Sequence, residues 1–454
     1  MTSQLFDCRG LPMTAASQDA VHAYDLFVRR FMAHGADAAP RLKAVGEADP
    51  DLLLGHCARG FCALILGRQE LRKAARESLL AAQRSLDSRG GTARERMYVA
   101  ALAAFCDGAF MEASERLDRC LEIERLDGYA VKLVHGVRFM LGDSTGMLRS
   151  TAAVLPAWSD SVPDAGYVHG CHAFGLEEVG DLGAAEVHAR HALALARDDA
   201  WAFHAIAHVH EMRDEPEAGM AWLDGGAADI DGTGNLAYHI AWHKAIFLLE
   251  IKDYEACLDL YDRRVRANPT DDFRDISNAV SLLVRLESAG VAVGGRWLEL
   301  ADKASARTQD MALVFAALHY LAALIADQRW PAVEHQLEAM QSVADAGAGD
   351  QARLFRSVGL PYARALVDSH RGDGLEAALA LARCLPRLQT VGGSHAQRDL
   401  FFKIIVDRLE ATGEPGTSRE LLAARLVRRP RNRWALERLA RLEGPGPAAA
   451  QAAE

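Results

Sequence analysis

One short phrase recurs in the chain and restricts the fold more than any other feature. A turn residue is followed by a variable residue, an apolar residue, two further residues and a small residue. This phrase occurs as GAFMEA at 108–113, GDLGAA at 180–185 and KDYEAC at 252–257. A tetratricopeptide-like repeat is about 34 residues long and folds as two antiparallel helices with small residues where they cross. The phrase therefore predicts a row of helical hairpins that must stack, because no single hairpin can bury its own apolar face.

Helical periodicity runs through nearly the whole sequence. Apolar residues recur at spacings of three and four, as at Tyr98, Leu102 and Phe105, and no alternating strand pattern persists. Glycine and proline are concentrated between these runs, where they break the chain into segments of ordinary helix length. We predict an all-α fold, an α-solenoid of irregular tetratricopeptide-like helical hairpins.

The solenoid is expected to form a single domain over residues 1–443, with the best repeats at about 92–270. No sharp change of composition marks a second domain. Residues 444–454 contain too little apolar bulk to order themselves, so we expect a disordered tail. The concave surface of the solenoid should be lined by the first helix of each hairpin.

Composition excludes some partners and indicates a compartment. The net charge of −11 argues against nucleic acid or an anionic membrane as a partner, because no basic field attracts phosphates. We find no secretory signal and no apolar run of membrane-spanning length. Eight scattered cysteines without a Cys-x-x-Cys pair are typical of a reducing, cytoplasmic setting. Long solenoids often pair through an apolar face, so a homodimer is a further expectation that no particular residue supports.

The segment Gly166–Glu250 concentrates the polar groups that could form a site. It contains nine of the 17 histidines and three tryptophans. His204, His208 and Glu211 lie at i, i+4 and i+7 and therefore share one helix face, with Trp201 one turn earlier. Two imidazoles at i and i+4 can share one metal ion, although the glutamate that zinc peptidases place after the first histidine is absent. These three residues are candidate metal ligands, and no motif requires a cofactor.

Neighbouring helices carry similar groups. His239 and His243 repeat the i, i+4 spacing on a later helix, offset from the first pair in repeat register. Packed helices lie about 8–10 Å apart, so the side chains of three first helices could converge in the groove. We expect ligand contacts from His169, His172, Glu177, Trp201, His239, Trp242 and His243. For acid/base or hydrolytic chemistry the candidates are His204 or His208 as base and Glu211 or Glu178 as partner.

A second polar stretch is the turn GGSHAQRD at 392–399. Ser394 is placed to cap the helix that follows. His395, Arg398 and Asp399 form a dense polar group beside two glycines and could contact a ligand. A capped helix entry and a ligand-facing turn both fit, and both could be true.

Several longer phrases together resemble the tetratricopeptide-repeat protein thirty-eight family. They are HGCHAFGLEEVGDLGAAE, DAWAFHAIAHVHEM, WHKAIFLLEIKDYEACLDLYD, GGSHAQRD, TARERMYVAAL and DCRGLPMT. The likeness extends from about Cys8 to Arg408 and implies an α-solenoid in a soluble protein. It implies no settled activity, so no catalytic role is transferred. One departure is VFAALHY, where Ala316 and Ala317 stand in place of the acid that the family favours before the histidine.

Two functions remain open from the sequence. The first is a small-molecule site in the His- and Glu-rich concave pocket, with acid/base or hydrolytic chemistry. The alternative is a scaffold that binds a peptide or a partner protein in the groove without catalysis. Lys244 is the only lysine of Gly166–Glu250, so the basic clamp for a peptide carboxylate is weak there. The sequence shows no phosphate loop, dinucleotide pattern or nucleophile elbow.

Overall fold

A computed structural model describes residues 5–226, 230, 232–372 and 374–443, and the predicted tail at 444–454 lies outside them. Over this part of the chain the fold is all-α, as predicted, apart from one small β-hairpin, β1 (Leu5–Phe6) and β2 (Pro12–Met13). Strands of two residues are too short to leave an alternating pattern, so the sequence could not indicate them.

The helices follow one another as hairpins. In the first half they are α1 (Gln18–Met32), α2 (Ala38–Ala48), α3 (Leu53–Ile65), α4 (Arg72–Arg89), α5 (Ala93–Cys106), α6 (Phe110–Ile123), α7 (Gly128–Met140), α8 (Ser144–Val154), α9 (Ala165–Glu178), α10 (Leu182–Leu195), α11 (Ala200–Met212) and α12 (Pro216–Gly225). In the second half they are α13 (Leu236–Glu250), α14 (Tyr254–Leu260), α15 (Phe273–Ser288), α16 (Arg296–Ser305), α17 (Val314–Ala326), α18 (Trp330–Ala346), α19 (Gly349–Leu354), α20 (Leu360–Arg371), α21 (Gly374–Cys384), α22 (His395–Ala411), α23 (Pro415–Arg428) and α24 (Arg433–Glu443).

Short helical turns of other kinds join or extend these helices. They are π-helical turns at Tyr261–Val265 and Phe355–Gly359, and 3₁₀ turns at Gln69–Leu71, Leu155–Ala157 and Leu385–Val391. None of the helices over the described residues is both long and apolar enough to cross a bilayer.

The recurring sequence phrase has a local structural cause. Its turn residue has a positive φ, 92° at Gly180 and 65° at Lys252. In these two copies the next residue is an aspartate whose carboxylate accepts a hydrogen bond from a backbone N–H of the second helix, as Asp181 does from Ala184. Asp253 caps α14 in the same way, whereas Ala109 in the copy at 108–113 provides no side-chain cap. In these two copies the phrase thus combines a left-handed turn residue with an N-cap, which ends one helix and starts its antiparallel partner.

Small residues allow the paired helices to approach closely. Between α9 and α10 the contact contains Ala173, Ala185, Ala189 and Ala192, and all four side chains are fully buried.

The first helices of successive hairpins pack side by side, so that α7, α9, α11, α13, α15 and α17 follow one another along the inner face. This is the stacking that the repeat phrase predicts.

The solenoid closes on itself. Helix α22 packs against α15, and the 3₁₀ turn before it reaches the connection between α7 and α8, where the Gln389 amide donates to the Gly142 carbonyl at 3.1 Å. The Gly393 N–H donates to the Phe139 carbonyl at 3.2 Å, and the Asp350 N–H donates to the Gly108 carbonyl at 2.9 Å. The concave side is therefore covered by the chain's own later segment and is not an open groove along its whole length.

We expect Gly142→Ala to weaken this closure. Gly142 has a φ of 66°, and a Cβ there would overlap the carbonyl of Gln389. The strain of a left-handed backbone at alanine should lower the unfolding free energy by about 1 kcal/mol. The overlap should lower it by about 1–3 kcal/mol more. The matched control is Gly180→Ala, since Gly180 also has a positive φ but a Cβ there meets nothing within 4 Å. Equal losses for both variants in denaturant titration would contradict the closure.

Candidate functional site

Four imidazoles from two inner helices meet at one point. The Nε2 atom of His204 lies 2.9 Å from Nε2 of His208, 3.0 Å from Nε2 of His239 and 3.0 Å from Nε2 of His243. The Nε2 atoms of His239 and His243 are 3.2 Å apart. We call these four residues the histidine cluster. The two i, i+4 pairs seen in the sequence thus face each other across the contact between α11 and α13.

The opposite ring nitrogens face oxygen atoms. His239 Nδ1 lies 3.0 Å from Oδ1 of Asn278, a residue of α15. His243 Nδ1 lies 3.3 Å from a carboxylate oxygen of Glu211. His208 Nδ1 lies 3.5 Å from a carboxylate oxygen of Glu177. The cluster is thus surrounded by an outer ring of three oxygen-bearing side chains, which we call the outer shell: Glu177, Glu211 and Asn278.

Burial sets the protonation of the cluster. The side chains of His204, His208 and His243 are at most 1% exposed. Burial, followed by the neighbouring histidines, holds the pKa of His204, His239 and His243 well below the ordinary value, so these rings are neutral at pH 7. Burial lowers the pKa of His208, but the carboxylates of Glu177, Glu211 and Glu178 together outweigh burial, and the net shift is upward.

Glu178 joins this region to the turn at 392–399. Its side chain is fully buried and accepts hydrogen bonds from the His395 backbone N–H at 2.8 Å and from the Arg398 guanidinium at 3.0 Å. Ser394 caps α22 in a capping box with Gln397, so the turn is both a capped helix entry and a contact with α9. Arg398 and His395 are committed to Glu178 in this arrangement.

Three other candidate residues take part in packing or ion pairs. Asp399 pairs with Arg425 and lies 3.9 Å from Lys403. Trp242 is fully buried, and its ring stacks on that of His239 with the centroids 5.2 Å apart. Trp201 packs edge-on against His135 and is half-buried.

His169 and His172 lie apart from the histidine cluster. His169 Nδ1 is 3.1 Å from Nδ1 of His188 on α10, and His172 Nδ1 is 3.0 Å from the Thr151 hydroxyl. Together with His191, these residues form a second, partly exposed group of imidazoles at the α9–α10 contact. The structure therefore does not bring them to the point where the other candidates meet.

A cavity of about 170 Å³ adjoins the histidine cluster and touches it through His239. Its wall is mostly apolar or aromatic, with a few polar groups. The lining residues are His34, Ile65, Gly136, Phe139, Met140, Trp201, Asn235, Leu236, His239, Phe273, Arg274, Leu313, Phe315, Val391, Gly392, Gly393 and Gln397. Of the residues expected to bind a ligand, Trp201 and His239 lie on this wall.

Sequence reasoning missed Asn278 and most of the cavity wall. Asn278 lies 39 residues after His239, within an amphipathic helix that carries no histidine. The wall combines residues of α3, α7, α11, α13, α15 and α17 with His34 and the 391–397 segment, and no local spacing signals such a combination. Asn278 is one of several polar residues in α15, so the sequence offered no signal that singles it out.

Stacked helical hairpins with small residues at their crossings define the class of this protein: it is an all-α, tetratricopeptide-like helical-repeat protein. No family model matches the chain, so the narrower likeness to the tetratricopeptide-repeat protein thirty-eight family stays a resemblance.

Three solved structures are similar to the chain at low sequence identity. One is the human IFIT1 dimer with m7Gppp-AAAA, at 12% identity over 96% of this chain and 90% of that chain, with a TM-score of 0.39. Another is the structure of Naa15/Naa10 bound to HypK-THB, at 12% identity over 94% of this chain and 66% of that chain, with a TM-score of 0.26. The P58(IPK) TPR domain matches at 15% identity over 78% of this chain and 99% of that chain, with a TM-score of 0.18.

Asp199, at the start of α11, makes a pH prediction possible. Its carboxylate caps the backbone N–H groups of Trp201 and Ala202, and burial raises its pKa to about 7 despite the opposing charge of Lys132. The folded state therefore holds this proton more tightly than the unfolded chain. The resulting stabilisation is complete below about pH 4 and is lost as the pH rises to about 7.

We expect Asp199→Asn to flatten this pH dependence. Asparagine keeps the cap but does not ionise. The unfolding free energy of the variant relative to wild type should rise by on the order of 4 kcal/mol between pH 4 and pH 8. Chemical denaturation at both pH values measures it, and parallel curves for the two proteins would contradict the burial of this carboxylate.

Proposed function

We propose that this protein binds a small, mainly apolar molecule in the interior cavity beside the histidine cluster. The observation behind the proposal is that the cavity is bounded by helices of the solenoid on one side and by the 391–397 segment on the other. Concave, mostly apolar spaces with a few convergent polar groups are the usual form of a small-molecule site.

The volume limits the size of the ligand. An apolar cavity of about 150 Å³ is large enough for benzene. At about 170 Å³, this cavity fits a compound with a single ring or a short branched chain. Aromatic side chains at Phe139, Trp201, Phe273 and Phe315 favour a flat, apolar ligand, because offset and edge-on ring contacts add to the gain from burial.

Polar groups on the wall favour one hydrogen-bonding function on that ligand. His34 stacks on Trp201 with the ring centroids 5.2 Å apart, and its buried Nε2 has no hydrogen-bond partner. Arg274 also lies on the wall, but its guanidinium is paired with the Asp272 carboxylate at 2.5–2.8 Å. A neutral hydroxyl or carbonyl that reaches His34 therefore fits better than a carboxylate.

The proposal assigns no proton transfer to His204 or His208, since both rings are buried and neither lines the cavity. Glu178 is held by Arg398, and the net effect of burial and its cationic neighbours is a pKa below the ordinary value, so it is a poor proton carrier at neutral pH. The scaffold alternative finds less support, because α22 and the turn before it cover the concave face that a peptide would need.

Gly136→Leu tests the proposal by filling the cavity. Gly136 lies within α7 on the cavity wall, and a Cβ there meets no atom within 4 Å. The added side chain should abolish binding of single-ring probes such as phenol and indole. The fold should be retained, because leucine favours a helix over glycine by about 0.5–1 kcal/mol.

The matched control is Gly225→Leu, at another helical glycine whose Cβ would meet nothing, located on α12 outside the cavity wall. Titration calorimetry with both probes measures binding to the wild type and the two variants. The proposal fails if the wild type binds neither probe, or if Gly136→Leu and Gly225→Leu bind them equally.

A further inference from the structure

We propose that His204, His208, His239 and His243 hold one divalent transition-metal ion, coordinated tetrahedrally through their four Nε2 atoms. This site goes beyond the cavity proposal and does not depend on it.

The spacing of the four nitrogens suits such an ion. Zinc–imidazole bonds of about 2.0–2.1 Å place the corners of a regular tetrahedron about 3.3–3.4 Å apart. Four of the six separations between the Nε2 atoms are 2.9–3.2 Å, and one ring nitrogen from each of the four histidines lies within 4.8 Å of the others. A small outward movement of the rings lengthens the short separations enough to meet the bond lengths.

The imidazoles cannot satisfy one another. Nε2 of His204 lies within 3.0 Å of three other Nε2 atoms, yet a ring nitrogen offers one proton or one lone pair. At most one of these three contacts is a good hydrogen bond, and the others bring together groups that cannot pair. A metal ion at the centre accepts one lone pair from each ring and resolves all of the contacts at once.

The outer shell fixes the tautomer that a metal requires. A ligating histidine usually donates its second ring N–H to a carboxylate or carbonyl, which orients the ring and makes it a stronger ligand. Glu177, Glu211 and Asn278 place oxygen atoms 3.0–3.5 Å from Nδ1 of three of the four rings. With the protons on Nδ1, the Nε2 lone pairs point to the centre.

Charge balance supports the same assignment. Glu177 is fully buried, and its 3.5 Å contact with Nδ1 of His208 does not form a hydrogen bond, so neither carboxylate oxygen has a hydrogen-bond partner within the described residues. The Glu211 oxygen that lies 3.3 Å from Nδ1 of His243 is likewise without a hydrogen bond. Isolated buried charges are strongly unfavourable. A dication among neutral imidazoles compensates both carboxylates.

The ligand set identifies the class of metal and its role. Four imidazoles without sulfur or oxygen ligands suit zinc and its neighbours in the first transition row, and tetrahedral geometry favours zinc. Four protein ligands leave no open position, as in structural zinc sites. The ion therefore joins α11 to α13 and holds His239 in place on the cavity wall, with no direct part in a reaction.

Cobalt titration of the full-length protein, purified without a histidine tag and stripped with a chelator, tests the site. We expect one Co²⁺ per chain, the strong visible bands of tetrahedral cobalt, and displacement by Zn²⁺. His243→Asn should lose these bands. His169→Asn is the control, because His169 belongs to the partly exposed group with Asp160 and His191.

Three outcomes would overturn the proposal: a wild type that binds no cobalt, a wild-type spectrum of the weak octahedral type, or bands that vanish in His169→Asn and persist in His243→Asn. The first two use the wild type alone, so a variant that fails to fold does not prevent the test.

Glu211→Gln tests the outer shell separately. Loss of such a carboxylate lowers metal affinity by about 10–100-fold. The matched control is Glu215→Gln, since Glu215 also lies beside a histidine nitrogen, 3.2 Å from Nδ1 of His210, but His210 is outside the cluster. Competition with a chromophoric chelator measures the affinities. Equal affinity in the two variants would exclude Glu211 from the site.

Discussion

The buried carboxylate of Glu178 is the interaction on which the closed form of this solenoid depends. It connects the end of α9 to residues more than 200 positions later, through the His395 backbone and the Arg398 guanidinium. Neither charge is solvated, so breaking the pair by removing one partner costs about 3–5 kcal/mol. The turn at 392–399 is held against the inner helices for this reason, and what would be an open groove becomes an interior.

Closure explains the chemistry of the histidine cluster. Imidazoles on the inner face of an open solenoid would be wet and would titrate near their ordinary pKa. Here the later segment of the chain covers the inner helices, water is excluded, and burial keeps three of the four rings neutral at physiological pH. Neutral imidazole is also the form that binds metals. The same enclosure leaves the small apolar cavity beside His239.

The sequence predicted the hairpins and the two histidine pairs because both are local patterns. It predicted that the side chains of three first helices could converge; in the structure the pairs on α11 and α13 meet, whereas the histidines of α9 do not join them. His204 and His239 are separated by 35 positions, which is one residue more than a repeat of about 34, and this offset argued against alignment. His169 and His172 were expected to contact the same ligand as His239 and His243, but they face His188 on α10 and Thr151 on α8 instead. Closure depends on contacts between distant segments, which no local spacing encodes.

Anomalous diffraction from a crystal of the zinc-loaded protein, recorded on both sides of the zinc absorption edge, tests the convergence of the four imidazoles most directly. We expect one strong peak inside the protein, about 2.0–2.1 Å from each of the four Nε2 atoms of the cluster. A peak that appears only beside Asp160 and His191, or a cluster whose rings have turned away from a common centre, would contradict this account.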